Sequence, residues 1–234
     1  MCNLYKMRSG PQAILDLARA TRNEAGNVQP GDIYPDYAAP IVRMEGDERI
    51  LTTARWGMPS SRKAILDAAT KRADKLRAKG KDVDFEQLLK MEPDSGTTNV
   101  RNTASQHWKR WLTPEHRCLV PFTSFSEPGR DAEGKYRPVW FELNRDEDEP
   151  LAFFAGIHLT GWEGVRKIKT GWEQADLFAF LTTEPSEPVK SIHPKAMPVI
   201  LTEPDEIDMW MSAPWDIALE LQRALGDHEL QVMG

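Results

Sequence analysis

Short apolar stretches separated by polar turns recur along the whole chain and predict many β-strands. Residues 39–44 and 49–57 flank a polar turn at 45–47, and this pattern predicts a β-hairpin. The continuous apolar run at residues 151–159 is typical of a central strand. Further short runs predict strands at residues 3–9, 117–122, 136–143, 177–182 and 198–201.

Apolar residues three or four positions apart predict helices between these strands. The predicted helices cover residues 11–20, 106–112, 206–211 and 215–225. Because the strands are numerous and spread along the chain, we expect one α+β domain over residues 1–234. Its sheet should be mostly antiparallel, twisted and barrel-like, with the helices at the periphery.

Residues 60–95 differ in character from the rest of the chain. Lysine and arginine dominate residues 71–81, Gly80 breaks the helical pattern, and a second helix is predicted around 85–89. We interpret this segment as a helical insertion in a β-rich domain. A charge run of this kind favours a solvated helix face over a nucleic-acid site.

Composition narrows the class of protein. The chain has 234 residues with 40% hydrophobic and 28% charged positions, and no run of about eighteen apolar residues that would predict a membrane span. Its two cysteines cannot form a disulfide framework, so we expect a reducing, cytoplasmic location. A formal net charge of −6 argues against a strongly basic polyanion binder, although it leaves room for a local basic groove.

The second residue, Cys2, offers unusual chemistry if Met1 is removed. An N-terminal cysteine carries an α-amine and a thiol on adjacent carbons, and together they can convert an aldehyde into an imine and then a thiazolidine ring. The amine titrates near ~8 and the thiol near ~8.5, so both are usable nucleophiles at physiological pH. Taken alone, a cysteine at this position is more often incidental.

Other chemistries have less support in the sequence. The five histidines show no metal-ligand spacing and no phosphate-binding glycine loop is present, so we expect no metal and no cofactor.

Six short motifs in order give the chain a family resemblance. They are Met1-Cys2-Asn3, Trp56-Gly57-Met58-Pro59, Asn99-Val100-Arg101, Arg117-Cys118-Leu119-Val120-Pro121 with Glu127, Ala155-Gly156-Ile157, and Ile192-His193 with Met197-Pro198-Val199-Ile200-Leu201. This set resembles the SOS response-associated peptidase family, whose domain binds abasic sites in single-stranded DNA. The resemblance covers residues 2 to about 211. It implies a DNA-damage protein that acts as a monomer, in the cytoplasm and on the nucleoid when DNA is damaged.

The resemblance also implies roles for individual residues. Cys2 corresponds to the family's catalytic cysteine, Glu127 and His193 to its acid–base groups, and Asn99 to an asparagine that orients the sugar or the cysteine. Because one extra residue follows His193, Lys195 takes the place of the family's arginine. The implied DNA contacts are Pro40, Trp56, Pro59, Arg101, Thr182 and Lys195.

The sequence therefore predicts an abasic-site sensor that forms a thiazolidine crosslink through Cys2 after autoproteolytic removal of Met1. Two other functions stay open at this stage. One is a cysteine peptidase or N-terminal-nucleophile hydrolase acting on peptides, and the other is a noncovalent single-strand binder in which Cys2 is idle.

Overall fold

A computed structural model of the chain describes residues 2–131, 133–147 and 149–233. The strands are β1 (Tyr5–Met7), β2 (Arg22–Asn23), β3 (Gly31–Ile33), β4 (Ala38–Glu45), β5 (Glu48–Trp56), β6 (Asn99–Val100), β7 (Arg117–Phe122), β8 (Ser124–Arg130), β9 (Tyr136–Leu143), β10 (Ala152–Val165), β11 (Trp172–Thr183), β12 (Met197–Pro198), β13 (Ile200–Leu201) and β14 (Leu230–Val232). The α-helices are α1 (Pro11–Ala18), α2 (Arg62–Arg77), α3 (Phe85–Lys90), α4 (Gln106–Lys109), α5 (Glu187–Lys190), α6 (Pro204–Ser212) and α7 (Trp215–Ala218). Short 3-10 helices cover Pro114–His116 and Leu219–Leu221.

Five of these strands close into a barrel. β4 pairs with β5 and β7, β7 pairs with β10, and β10 pairs with β11, all of them antiparallel. A parallel pairing of β11 with β5 completes the circle. Further strands hydrogen-bond outside it, so the predicted single α+β domain with a mostly antiparallel, barrel-like sheet is confirmed.

Aromatic rings fill the barrel. Trp56 stacks on Phe180 with ring centroids 5.2 Å apart, and Phe180 lies 4.6 Å from Phe154. Tyr5 from β1 meets Trp56 edge-on at 5.2 Å. Each of these four side chains is at most 1% exposed, and burial of such large apolar groups is a main source of folding free energy. The N-terminal strand is therefore anchored to the barrel by one of its own side chains.

A second sheet covers the barrel next to the N-terminus. Its strand order is β14-β9-β8-β1-β3, and β1 lies between β3 and β8. Tyr5 pairs with Ile33 on one side and with Phe125 on the other. Residues this close to the end of a chain are often frayed, but β1 is hydrogen-bonded along both of its edges.

The helices of the 60–95 segment form where the sequence predicts them. The hydroxyl of Ser61 caps α2 by accepting from the backbone N of Ala64 at 3.2 Å, and Gly80 adopts φ +70° between α2 and α3. Ala69 and Ala73 are buried, while the lysines and arginines of α2 lie on its outer side. The interpretation of this segment as an insertion stays a prediction.

Several elements differ from the sequence prediction, since β2, β3, β6, β8, β14 and α5 are not among the predicted strands and helices. β8 was not predicted, because Pro128-Gly129 is typical of a turn; in the structure Pro128 lies opposite Pro138, so two residues that lack an N–H share one ladder position. The helix expected at 215–225 is shorter, because the chain turns away at Gln222, whose side chain donates to the backbone carbonyl oxygens of Arg101, just after β6, and Thr182, in β11. Among the described residues, the helices are all too short or too polar to cross a lipid bilayer.

Candidate active site

Cys2 lies just before β1 and is completely buried. Its Sγ is 3.5 Å from the carbonyl oxygen of Leu4, to which the thiol donates. The same carbonyl accepts from the backbone N of Ser126 at 3.0 Å and from the Ser126 hydroxyl at 3.3 Å. Pairing with β8 therefore holds Cys2 beside the strand that carries Glu127.

Asn99 fixes the other side of Cys2. β6 joins the barrel by a parallel pairing of Asn99 with Phe180 of β11. From there the Asn99 Nδ2 donates to the carbonyl oxygen of Cys2 at 2.8 Å and to the Thr98 hydroxyl at 2.8 Å. The structure thus brings together two residues that are almost a hundred positions apart in the sequence.

Glu127 is a buried carboxyl group in the middle of β8. It pairs with Val139 of β9, and its side chain has no exposed surface. Burial raises the pKa of Glu127 to about 7, because removing a carboxylate from water disfavours its charged form. Burial also raises the pKa of the Cys2 thiol, and the charge of Glu127 raises it further, which puts the two groups within electrostatic range.

His193 lies in the loop after α5 and faces Glu127. Its Nδ1 is 3.0 Å from the carbonyl oxygen of Ala196 and 3.4 Å from Glu127 Oε2. Because a carbonyl oxygen only accepts, the neutral ring carries its hydrogen on Nδ1 and its lone pair on Nε2. Burial lowers the pKa of His193, so the ring is neutral near pH 7.

Together these four side chains form a protonated thiol beside a carboxyl group that titrates near neutral pH, backed by a neutral imidazole. The raised pKa keeps the resting Cys2 thiol protonated, and Glu127, whose pKa lies close to neutral pH, can accept that proton as the sulfur bonds to an electrophile and return it later. Asn99 holds the backbone of the nucleophile in place. The chemistry this favours is addition of a buried thiol to an electrophile delivered into the site.

The buried carboxyl group should cost the fold stability at neutral and high pH. A pKa raised from 4.5 to about 7 means that stability is fully retained below pH 4.5 and falls as the pH rises to about 7, by about 3 kcal/mol. We therefore expect Glu127→Gln to raise the midpoint of thermal unfolding by roughly 5 °C or more at pH 8, and to have little effect near pH 4.5. Thermal unfolding followed by circular dichroism checks this, and a variant less stable than the wild type at pH 8 would contradict it.

Arg101 and Lys195 lie together at the edge of the site. Arg101 Nη1 donates to the carbonyl oxygens of Thr183 at 2.6 Å and Lys195 at 3.1 Å, and Nη2 pairs with Glu184. The Lys195 side chain is exposed, and Arg101 is about one-third exposed. Arg101 is therefore bonded to the backbone of Lys195, two residues after His193, and is already paired with an exposed carboxylate.

The other residues expected to touch DNA are less exposed. Trp56 is 1% exposed and its Nε1 donates to the carbonyl oxygen of Thr98 at 3.0 Å, so it supports the neighbour of Asn99 from within the barrel. Pro40 and Thr182 are also buried, in β4 and β11. Pro59 is half-buried, and its carbonyl oxygen lies 2.9 Å from His107 Nε2. A surface that contacts DNA can include Pro59, but not the other three side chains as they are placed here.

Within residues 2–131, 133–147 and 149–233 no group of three or more His, Cys, Asp or Glu side chains is arranged to hold a metal ion.

The family of the chain follows from comparison with known proteins. A family model described as "SOS response associated peptidase (SRAP)" matches residues 1–233. The chain belongs to this family. SRAP membership associates it with the response to DNA damage, with an autopeptidase-like activity and with DNA as a partner.

Solved structures agree with the fold. A protein of Bordetella bronchiseptica is 22% identical with a TM-score of 0.63, and the match covers 99% of this chain and 98% of that one. A protein of Bacteroides thetaiotaomicron is 18% identical with a TM-score of 0.66, covering 99% and 90%. A phage-related protein of Bordetella bronchiseptica is 16% identical with a TM-score of 0.62, covering 99% and 93%. A search of curated proteins found no match.

Sequence reasoning missed Glu184, which contacts Arg101, and Arg166, which bonds the carbonyl oxygens of Gly57 and Asp94. Glu184 pairs with Arg101, and nothing in the polar stretch that follows β11 distinguishes it from a solvated acid. Arg166 lies in the basic turn between β10 and β11 and is nevertheless buried. Neither residue belongs to a motif, so only the three-dimensional arrangement identifies them.

Proposed function

We propose that this SRAP protein senses abasic sites in single-stranded DNA and forms a covalent thiazolidine crosslink through Cys2 after removal of Met1. The observation that carries the proposal is the enclosed group of Cys2, Asn99, Glu127 and His193. A buried N-terminal thiol beside a carboxyl group with a pKa near 7 suits addition to an aldehyde. The ring-opened form of an abasic deoxyribose supplies that aldehyde.

The reaction balances without a cofactor. The α-amine of Cys2 attacks the aldehyde carbon, and loss of one water gives an imine. The thiol sulfur then adds to the imine carbon, so that one C–S bond forms, the C=N double bond becomes single, and the thiol proton is returned to nitrogen. No oxidant or reductant is consumed.

The side chains divide the proton transfers between them. Glu127 in its ionised form takes the thiol proton, and in its protonated form it returns one to nitrogen or to the departing water. The neutral His193 assists opening of the sugar ring, because its Nε2 can accept and release a proton. Asn99 holds the Cys2 carbonyl oxygen, so that amine and thiol stay oriented toward the aldehyde.

The amine is available only after Met1 has left, so the full chain is a precursor. Met1 lies outside the described residues. In self-processing, the Cys2 thiol would attack the Met1 carbonyl carbon, the C–N bond would break as the thioester forms, and water would release methionine. Glu127 would take the thiol proton and the departing amine would receive it, which uses the same groups as the crosslink.

Arg101 and Lys195 would bind the phosphates beside the abasic site, and Pro59 would lie against the neighbouring bases. The pairing of Arg101 with Glu184 places a carboxylate where a phosphate could bind. We expect Glu184→Gln to bind intact single-stranded DNA about two- to fivefold more tightly at low salt, because an exposed ion pair no longer competes. Fluorescence anisotropy measures the affinity, and the gain should shrink as salt is raised.

Glu187→Gln is the matched control for that measurement. It removes the same charge three residues away, from a side chain that pairs with Lys190 rather than Arg101. An equal gain in both variants would mean that only net charge matters. An unchanged affinity in Glu184→Gln would contradict a phosphate role for Arg101.

The alternatives have less support. A peptidase acting on other polypeptides needs an extended backbone to reach Cys2, which is completely buried, whereas an abasic sugar is a smaller group. Incubation of the processed protein with abasic single-stranded DNA, followed by a denaturing gel, tests the proposal, which predicts a covalent band. Retardation on a native gel without that band would favour the noncovalent binder, and cleavage of added peptides would favour the peptidase.

A further inference from the structure

Arg166 is a buried cation outside the four-residue site. It follows β10, and its side chain is 3% exposed. Its Nη1 donates to the carbonyl oxygen of Asp94 at 3.0 Å and lies 3.7 Å from the Asp94 carboxylate. Its Nη2 donates to the carbonyl oxygen of Gly57. One guanidinium group therefore joins the end of β5 to the loop that leads into β6.

Two glycines lie beside this guanidinium group. Gly96 has φ +74°, and a Cβ built on it would lie 2.5 Å from Arg166 Nη1. Gly57 has φ +144°, and its Cβ would lie 3.8 Å from Arg166 Nη2. Both conformations strongly favour glycine, and the short distance at Gly96 makes it the stricter of the two. At Gly96 the absence of a side chain makes room for Arg166, while at Gly57 the backbone conformation rather than the space favours glycine.

Asp94 fixes the loop that follows it through two hydrogen bonds to its carboxylate. Its two carboxylate oxygens accept from the backbone N of Ser60 at 2.9 Å and of Gly96 at 2.8 Å. Beyond Gly96, Thr97 and Met58 exchange two backbone hydrogen bonds of 2.7 and 2.9 Å. The segment from Asp94 to Thr97 therefore follows the backbone after β5 with little freedom to shift.

Asn99 stands at the end of this segment. It comes two residues after Thr97, and its amide holds the carbonyl oxygen of Cys2 at 2.8 Å. Any displacement of the loop would move that amide, and a small displacement of a group that orients a reactant can cost a large factor in rate. Carbonyl and carboxylate partners compensate for the burial of the Arg166 charge. Removal of the Arg166 side chain would therefore leave the segment from Asp94 to Thr97 free to shift.

We infer that Arg166 is a positioning residue for crosslinking, which sets the place of Asn99, and through it Cys2, by clamping the Asp94 loop to Gly57. The inference rests on the proposed function. It assigns Arg166 no contact with DNA and no proton transfer.

Single-turnover crosslinking to abasic single-stranded DNA tests the inference with Arg166→Ala. The rate constant should fall about 10- to 100-fold, while the fraction of protein that finally reacts stays close to that of the wild type. Methylguanidinium at millimolar concentration should restore much of the rate in Arg166→Ala, because it fits the vacated space and offers the same donors. An equal concentration of sodium chloride should not, and Arg72→Ala, which removes a nearby arginine paired with Glu92, should keep the wild-type rate.

The possible results distinguish a failure of the inference about Arg166 from a failure of the proposed function. A wild-type rate constant in Arg166→Ala, or a fall only in the reacting fraction, would overturn the inference, because the second result describes a merely structural residue. If Arg166→Ala does not fold, Arg166→Lys is measured instead; a slower rate constant with an intact reacting fraction supports the inference, and a wild-type rate constant overturns it. Absence of a covalent band in the wild type itself would overturn the proposed function rather than the role of Arg166.

Discussion

Replacement of Cys2 by serine is expected to abolish the stable covalent adduct with abasic DNA. The α-amine of an N-terminal serine can still form an imine with the aldehyde, but no sulfur is present to close the thiazolidine ring. The imine hydrolyses on heating, so the denaturing gel should show no band. Treatment with borohydride should recover a band from Cys2→Ser once its Met1 has been removed by a methionine aminopeptidase, because borohydride reduces the imine to a stable amine. The retardation of intact DNA by the protein on a native gel should be unchanged.

The second cysteine provides a matched control. Cys118 lies in β7, is completely buried, and has no α-amine beside its thiol. Cys118→Ala should therefore keep the wild-type band. Loss of the band in Cys118→Ala, or a heat-stable band in Cys2→Ser without borohydride, would contradict a thiazolidine at the N-terminus.

Replacement of Glu127 by glutamine is expected to slow crosslinking about 100-fold. Glutamine fills the same space in β8 but cannot take the thiol proton, and general acid–base groups typically contribute at least this factor. Burial raises the pKa of Glu127 to about 7, so the wild-type rate should increase as the pH rises through that value. The variant should lose this inflection. Single-turnover rates between pH 5 and 9 measure both effects.

Glu142→Gln is the control for Glu127. Glu142 lies on the neighbouring strand β9, three positions along from Val139, which pairs with Glu127, and its carboxylate accepts from Gln231 Nε2 at 3.0 Å. Its rate and pH profile should match the wild type. A wild-type rate in Glu127→Gln across the pH range would remove Glu127 from the mechanism.

Hydrophobic patterning predicts the barrel well but not the strand that carries the carboxyl group. The β4–β5 hairpin and the runs at β7, β10 and β11 are apolar enough to be recognised, because both faces or one whole face of these strands is buried. β8 contains Pro128 and Gly129, and local turn propensity hides it. Only the opposing Pro138 explains why the ladder tolerates a proline there.

The sequence identifies the residues of the site but not the hydrogen bonds that join them. The family resemblance names Cys2, Asn99, Glu127 and His193, yet the hydrogen bond from Asn99 to the Cys2 carbonyl oxygen depends on how β6 joins β11. For Trp56 the sequence favours a role that its position in the structure does not support. A tryptophan beside a Gly-Met-Pro turn is compatible with stacking on bases, but the closure of β5 against β11 turns its ring into the barrel.

The most direct test of the account is a mass spectrum of the adduct formed without any reducing agent. The protein is reacted with an abasic oligonucleotide, digested with protease and nuclease, and its N-terminal peptide is fragmented. A thiazolidine at the N-terminus predicts a peptide that begins at Cys2, lacks Met1, and carries the sugar with the loss of one water on its first residue. A sugar attached at any other residue, or an adduct on a peptide that still begins with Met1, would contradict it.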